Sequence, residues 1–325
     1  MLRILLLGVL ALSLAGCAAT VGPDAVQRRE PWPYMQRSGE RIITQNYDIL
    51  TTAQHLPISG VLPAFLEASL DRHRTFAGTS LGGPALPPPP TRLQLFFFAE
   101  REEWSQFTQA TIDADAYPLL SIEVGGYAAG GRAVLFALPS GYERLTLKIA
   151  AHEGWHQYVQ RSFKDQLPTW ADEMIAVLAE GFVIDANGRY RFEPLMNPER
   201  LAQLEALLSQ GRWRSLEELL ASDPTDLLAS KPSAAIDYYA QLWALGIYLA
   251  LEPARWNGVE RLLRDAARGR LQRELGRPAP DAFGATTFHR YISSDIDGVD
   301  AAYRAFATTL LGEASAERMS GSTPR

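Results

Sequence analysis

The sequence predicts an α+β fold, predominantly helical: a small N-terminal sheet with an edge strand next to the helix that carries His152-Glu153-Gly154-Trp155-His156, then a helical C-terminal part. Three observations lead there. β-prone runs bounded by Gly and Pro are confined to the chain before Tyr142. From Tyr142 onward, apolar residues recur at three- and four-residue intervals. After the first apolar run near the N-terminus, no second run is long enough to span a bilayer.

The elements follow in chain order. Residues 1–17 read as a signal segment and 18–40, with Pro23, Pro31 and Pro33, as a tether. Residues 47–51 form the first strand and 58–76 the first helix. Gly82-Gly83-Pro84 and the run of prolines over 87–90 make a connecting loop. Residues 93–98 are a strand that leads through the acidic residues Glu100 to Glu103 into a helix with Trp104 and Phe107. Gly125-Gly126-Tyr127-Ala128-Ala129-Gly130-Gly131 reads as a flexible, turn-forming stretch. The strand over 132–138 follows it, opening on Arg132 and closing on Leu138 before Pro139. Helices are expected from Tyr142, from Pro168, and over 199–210, 215–221, 233–251, 256–276 and 299–311, with a disordered tail over 313–325. The organisation predicted is a main domain over 41–250 and a helical subdomain over 251–312, with no repeats.

The five residues from His152 to His156 carry the chemistry. Residues four apart on an α-helix lie on one face one turn removed, so both imidazoles can reach one metal ion. Zinc held by two neutral imidazoles and a third ligand keeps a position for water, and the intervening Glu153 can take that water's proton. With 5 His in 325 residues, chance predicts roughly 0.005 such matches, so coincidence is a weak explanation. Leu145, Ile149, His152 and His156 are spaced by four, three and four, which puts the histidines on the inward face. A buried histidine pair without a metal needs hydrogen-bond partners away from water. Gly154 costs helix propensity, and close approach of a backbone or ligand would account for it.

Leu167-Pro168-Thr169-Trp170-Ala171-Asp172-Glu173 opens the next helix, with Glu173 17 residues beyond His156. That chain length suffices for a turn and an antiparallel return, bringing Glu173 beside the histidines as a third ligand. An HExxH helix followed by Pro-x-Trp-x-x-Glu on the next helix resembles the gluzincin metallopeptidases of the MA clan, including related bacterial lipoprotein families. By that resemblance Glu173 takes the third-ligand position. Where the family has Gly directly after the ligand Glu, this chain has Met174, and Ala179-Glu180-Gly181 occurs seven residues on. Glu180 is therefore a rival ligand, helical phase does not separate the two, and its other reading is a helix-terminal carboxylate facing solvent.

The resemblance implies a zinc-dependent peptidase, with Glu153 as general base and then general acid. In that family the strand before the active-site helix is an edge that pairs with extended substrate. Residues 132–138 occupy that place, so a peptide substrate would add as a further strand; an ordinary sheet strand is the alternative. Tyr238, Leu242, Leu245 and Leu249 form one apolar stripe, and Tyr239 and Gln241 lie off it. Tyr239-Ala240-Gln241 matches a Tyr-x-Gln on the family's last catalytic helix, which makes Tyr239 a candidate oxyanion donor or, alternatively, a core tyrosine. The competing function is a non-catalytic envelope lipoprotein that uses the same fold as a binding module.

The other histidines lack ligand spacing: His55 follows a strand, His73 lies among Asp71, Arg72 and Arg74 on a face that reads as solvated, and His289 sits between Phe288 and Arg290. Asp295, Asp297 and Asp300 lack the later Glu of a calcium loop and read as a helix cap. Met1-Leu2-Arg3, an apolar stretch and Leu14-Ala15-Gly16-Cys17 resemble a bacterial lipoprotein signal, which makes the sole cysteine, Cys17, the lipidation site. Ala18 and Ala19 place no Asp after it, so the resemblance implies the periplasmic face of the outer membrane, with membrane contact by lipid alone. A net charge of −6 with no basic stripe argues against a nucleic-acid partner.

Overall fold

The computed structural model describes residues 25–319 apart from 36, 77–83, 113–118 and 121–124. The signal segment and Cys17 lie outside the described residues. The fold is α+β and predominantly helical, with a six-stranded sheet and a two-stranded one.

The large sheet is built from β1 (Arg28–Pro31), β2 (Glu40–Ile43), β3 (Tyr47–Thr51), β4 (Leu93–Phe98), β5 (Gly126–Ala129) and β6 (Arg132–Phe136), in the order β1-β2-β3-β4-β6-β5. β3, β4 and β6 are parallel neighbours; the other pairs are antiparallel. The parallel centre explains why β4 is apolar on both sides. Leu93, Leu95 and Phe97 enter the main core, while Phe96 and Phe98 enter a second cluster with Trp104, Phe107, Val134 and Phe136.

Three sequence expectations change here. Part of the expected tether is strand: β1 pairs with β2, and Trp32 and Tyr34 stack on each other and pack against Phe98. Its backbone hydrogen bonds, rather than apolar side chains, hold β1 in place. The glycine-rich stretch is also partly strand, since Gly126–Ala129 is β5 and only Gly130 and Gly131 turn, at φ 58° and 74°. Two successive residues with positive φ are what a two-residue hairpin loop requires, and Gly supplies them without strain. Consequently residues 132–138 are not the edge. β6 pairs with β4 on one side and β5 on the other, so among the described residues β5 is the sheet edge beside the motif helix.

The helices are α1 (Ile58–Thr75), α2 (Arg101–Thr111), α3 (Glu143–Ser162), α4 (Thr169–Ala179), α5 (Pro198–Ser209), α6 (Leu216–Ala221), α7 (Pro224–Ser230), α8 (Pro232–Ala250), α9 (Pro253–Ala267), α10 (Leu271–Leu275), α11 (Phe283–Tyr291) and α12 (Ile296–Met319). The helix expected over 256–276 is two, broken where Gly269 adopts φ 71° and Asp165 accepts from the Leu271 N–H. The last helix continues to Met319, past the point where a disordered tail was expected. Asp295 accepts from the Gly298 N–H at its start, as a cap does.

α3 is the structural pivot. It packs on α1, on α4 and against β5 and β6. Its Gln157 donates to the Gln94 and Gly131 carbonyls, and its Gln160 donates to the Ala128 carbonyl while accepting from the Gly131 N–H. The motif helix is therefore tied to the ends of β4, β5 and β6. α4 is in turn gripped by α8, where Gly246 admits Met174 and Leu178 so closely that a Cβ would stand 2.8 Å from Leu178. One continuous apolar core runs from Ile42 through these helices to Ala307.

Candidate metal centre

α3 supplies His152, Glu153 and His156, and α4 supplies Glu173. The long helix fixes the imidazoles one turn apart, and the extended backbone at Pro168 starts α4 so that its first turns face them. Nε2 of His152 lies 3.2 Å from Nε2 of His156; the Glu173 Oε2 lies 3.3 Å from the first and 3.4 Å from the second. The three atoms thus form a nearly equilateral triangle. A tetrahedral zinc ion with bonds of about 2.0–2.1 Å separates its ligand atoms by about 3.3 Å, so the triangle has the dimensions of one face of that tetrahedron.

The other ring nitrogens decide what the triangle is made of. His152 Nδ1 faces Glu180 Oε1 at 3.0 Å, and His156 Nδ1 faces Asp172 Oδ2 at 3.0 Å. A carboxylate only accepts, so each Nδ1 carries the proton and, in the neutral ring, each Nε2 presents a lone pair. Two lone pairs and a carboxylate oxygen then converge on one point. Glu173 Oε2 is buried without a hydrogen-bond partner. Such a convergence is repulsive unless a metal cation or a proton on one of the rings sits between the three atoms.

The electrostatics agree. Against the opposing effect of burial, Glu173 and Glu180 push the His152 imidazole up to about 9, and Asp172 and Glu173 push His156 up as well. Glu173, again against burial, is held well below the usual carboxylate range by the two histidines, and Glu180 is held down to about 2 by Arg200 and His152. The cluster demands positive charge. Among the described residues, those grouped so that they could hold a metal ion are His152, His156 and Glu173.

Glu180, the rival ligand, is placed otherwise. It is the C-cap of α4 and 6 % exposed, so it neither faces solvent nor joins the triangle. It accepts both hydrogen bonds of an Arg200 fork, at 2.9 and 2.6 Å, and one from Asn197 at 2.9 Å. Asn197 in turn accepts from buried Lys148, one turn before His152 on α3. Asp172 is held by Trp155, whose Nε1 donates to Oδ1 at 2.7 Å. Asp172, Arg200, Asn197 and Lys148 were not singled out from sequence. Asp172 at least stands beside Glu173 in the first turn of α4; nothing local marks Arg200 or Asn197, which meet Glu180 only through folding.

Glu153 lies between the histidines, and burial pushes its carboxyl above the usual range. Tyr239, half-buried, turns its ring edge-on to His152, with centroids 5.8 Å apart and planes at 88°. Gln241 is not at the site: it is buried, and its side chain clamps the backbone of Arg214. His55 and His289 are exposed and remote in sequence from any ligand spacing. His73 is not on a solvated face but 0 % exposed, packed against Trp155 and Tyr158 of α3.

Compared with known proteins, the chain matches no family model, and no curated protein or solved structure matches it significantly. Among the described residues no helix is long and apolar enough to cross a membrane.

Proposed function

We propose that this protein is a zinc-dependent peptidase of the bacterial envelope, with the gluzincin arrangement of His152, His156 and Glu173 around the metal. The observation that carries the proposal is the triangle of 3.2, 3.3 and 3.4 Å between their ligand atoms, with both imidazoles oriented from behind by carboxylates. When bound, zinc supplies Lewis acidity to a peptide carbonyl and to the attacking water.

The chain's own residues do the rest. Glu153 takes a proton from water as the oxygen adds to the carbonyl carbon, and returns that proton to the amine nitrogen as the C–N bond breaks. Its raised carboxyl suits a base that must also act as an acid. Tyr239, standing against His152, is the residue proposed to donate to the carbonyl oxygen as charge develops there. An extended peptide would lie along β5, whose outer side is unpaired among the described residues, rather than along 132–138. Cys17 as a lipid anchor on the periplasmic face of the outer membrane completes the reading, and the N-terminal pattern from Met1 to Cys17 supports it.

The test is elemental analysis of the purified protein beside His156→Ala, followed by a peptide-library digest beside Glu153→Gln. Stoichiometric zinc that His156→Ala loses, with cleavage that Glu153→Gln loses, is the expected result. Folded protein without metal overturns the metal site; zinc with no cleavage of any peptide turns the reading to a binding module.

A further inference from the structure

Four side chains form a closed circuit at one corner of the site. His152 Nδ1 meets Glu180 Oε1 at 3.0 Å; Glu180 accepts the Arg200 fork; the Arg200 guanidinium lies 5.2 Å from the centre of the Tyr239 ring; and that ring stands edge-on to His152. We infer that Arg200 is a positioning residue that holds the metal-binding imidazole of His152 and the ring of Tyr239 in one fixed arrangement, an inference that rests on the peptidase reading above.

The geometry asks for an arginine. Its Nε and Nη2 reach the two oxygens of Glu180 while Nη1 donates to Gln203, so the plane of the guanidinium is fixed on three sides. A planar fork fixed in this way orients a carboxylate as well as neutralising it, which a lysine ammonium, a point charge, does not. Its central carbon lies over the Tyr239 ring. Glu180 and Arg200 are both largely buried, with side chains 7 % and 16 % exposed, so neither has water as a substitute partner.

The two histidines are supported differently. Asp172, behind His156, is fixed by Trp155 from the motif helix itself. Glu180, behind His152, is fixed by Arg200 and Asn197 from α5 and the turn before it. Of the groups that support the two carboxylates, Arg200 also lies over the Tyr239 ring, so it ties the support of His152 to the proposed oxyanion donor.

The experiment measures zinc affinity of the full chain by competition with a chromogenic chelator for wild type, Arg200→Lys, Arg200→Met, Glu180→Gln and their double variants, with Arg41→Lys as a control in the sheet. Arg200→Lys is expected to weaken zinc binding 10- to 100-fold, and Glu180→Gln with Arg200→Lys to weaken it no further than Glu180→Gln alone. With zinc saturating, Arg200→Lys is expected to lower kcat with little change in KM, and Tyr239→Phe with Arg200→Lys to fall no lower than Tyr239→Phe. A merely structural role would lower the melting temperature of the zinc-free chain and leave affinity and these non-additivities unmoved; that result, or additive losses, rejects the inference. Should Arg200→Met fail to fold, the lysine variant carries the comparison. Wild type that binds no zinc rejects the peptidase reading itself, whereas wild-type binding with an unchanged Arg200→Lys rejects only this proposal.

Discussion

Trp155 and Asp172 are joined by a 2.7 Å hydrogen bond from the indole Nε1 to Oδ1, and the other oxygen of that carboxylate faces His156 Nδ1 at 3.0 Å. The residue just before His156 thus reaches across to α4 and sets the group that orients His156. Trp155 is fully buried, so its ring cannot swing away to release Asp172. The pair links the packing of α3 on α4 to the position of a nitrogen of the candidate metal centre.

Trp155→Phe keeps most of that packing and removes the donor. Asp172 then loses the bond that fixes its rotamer, and zinc affinity is expected to fall about 10-fold, with Asp172→Ala falling further, toward 100-fold. Chelator competition measures both. Equal affinity in Trp155→Phe and wild type would show that Asp172 is held by other means.

Glu173 and Glu180 are expected to separate cleanly. Glu173→Ala removes a corner of the triangle and should abolish stoichiometric zinc, whereas Glu180→Ala leaves the three ligand atoms in place and weakens binding roughly 10- to 100-fold. Glu153→Gln should retain zinc fully and lose peptide cleavage. Elemental analysis of the three variants decides it; zinc retained in Glu173→Ala and lost in Glu180→Ala would reverse the assignment.

The motif helix, its partner helix and the approach of Glu173 to the histidines are legible because each is written in local spacing: four residues between histidines, Pro168 before a helical run, 17 residues of connection. What local spacing does not carry was lost. His73 sits among Asp71, Arg72 and Arg74, a run that reads as solvated, yet α1 is buried deeply enough that Arg72 is 6 % and Glu67 7 % exposed. β1 has exposed side chains and is held by its ladder to β2, so composition marked it as a tether. The strand over 132–138 looked like an edge because the glycines on either side hid β5, a four-residue strand whose Tyr127 packs against Trp104. Arg200 and Asn197 lie 20 and 17 residues from the Glu180 they support, which no periodicity connects.

Gly154 also differs from expectation. A Cβ built there would meet only the His73 Cε1, at 3.5 Å, an ordinary van der Waals contact. Close approach therefore does not require glycine at this position, and Gly154→Ala should gain up to about 1 kcal/mol from helix propensity. A thermal melt of the zinc-free variant is expected to show a modest upward shift with the zinc content unchanged. A marked fall in melting temperature would mean that the methyl is not accommodated beside His73 as the 3.5 Å contact predicts.

His73 gives the fold a pH dependence of its own. Burial is the main cause that brings its imidazole down to about 3, and the ring is locked between Ser69, Trp155 and Tyr158. In the unfolded chain a histidine titrates near 6.5. Between those values the unfolded state binds a proton that the folded state refuses, so the unfolded state carries more protons and stability falls as pH falls. The loss begins below about pH 6.5 and amounts to roughly 1.4 kcal/mol for each further pH unit until the folded ring titrates. His73→Gln keeps a polar side chain and removes the titration. Urea unfolding of wild type and His73→Gln at pH 7, 6, 5 and 4 should therefore give stability curves that converge as pH falls, the variant being less stable at pH 7 through lost packing and less sensitive to acid. Curves that stay parallel over this window would mean that His73 takes up its proton in the folded protein as readily as in the unfolded one, and that some other group sets the acid limit.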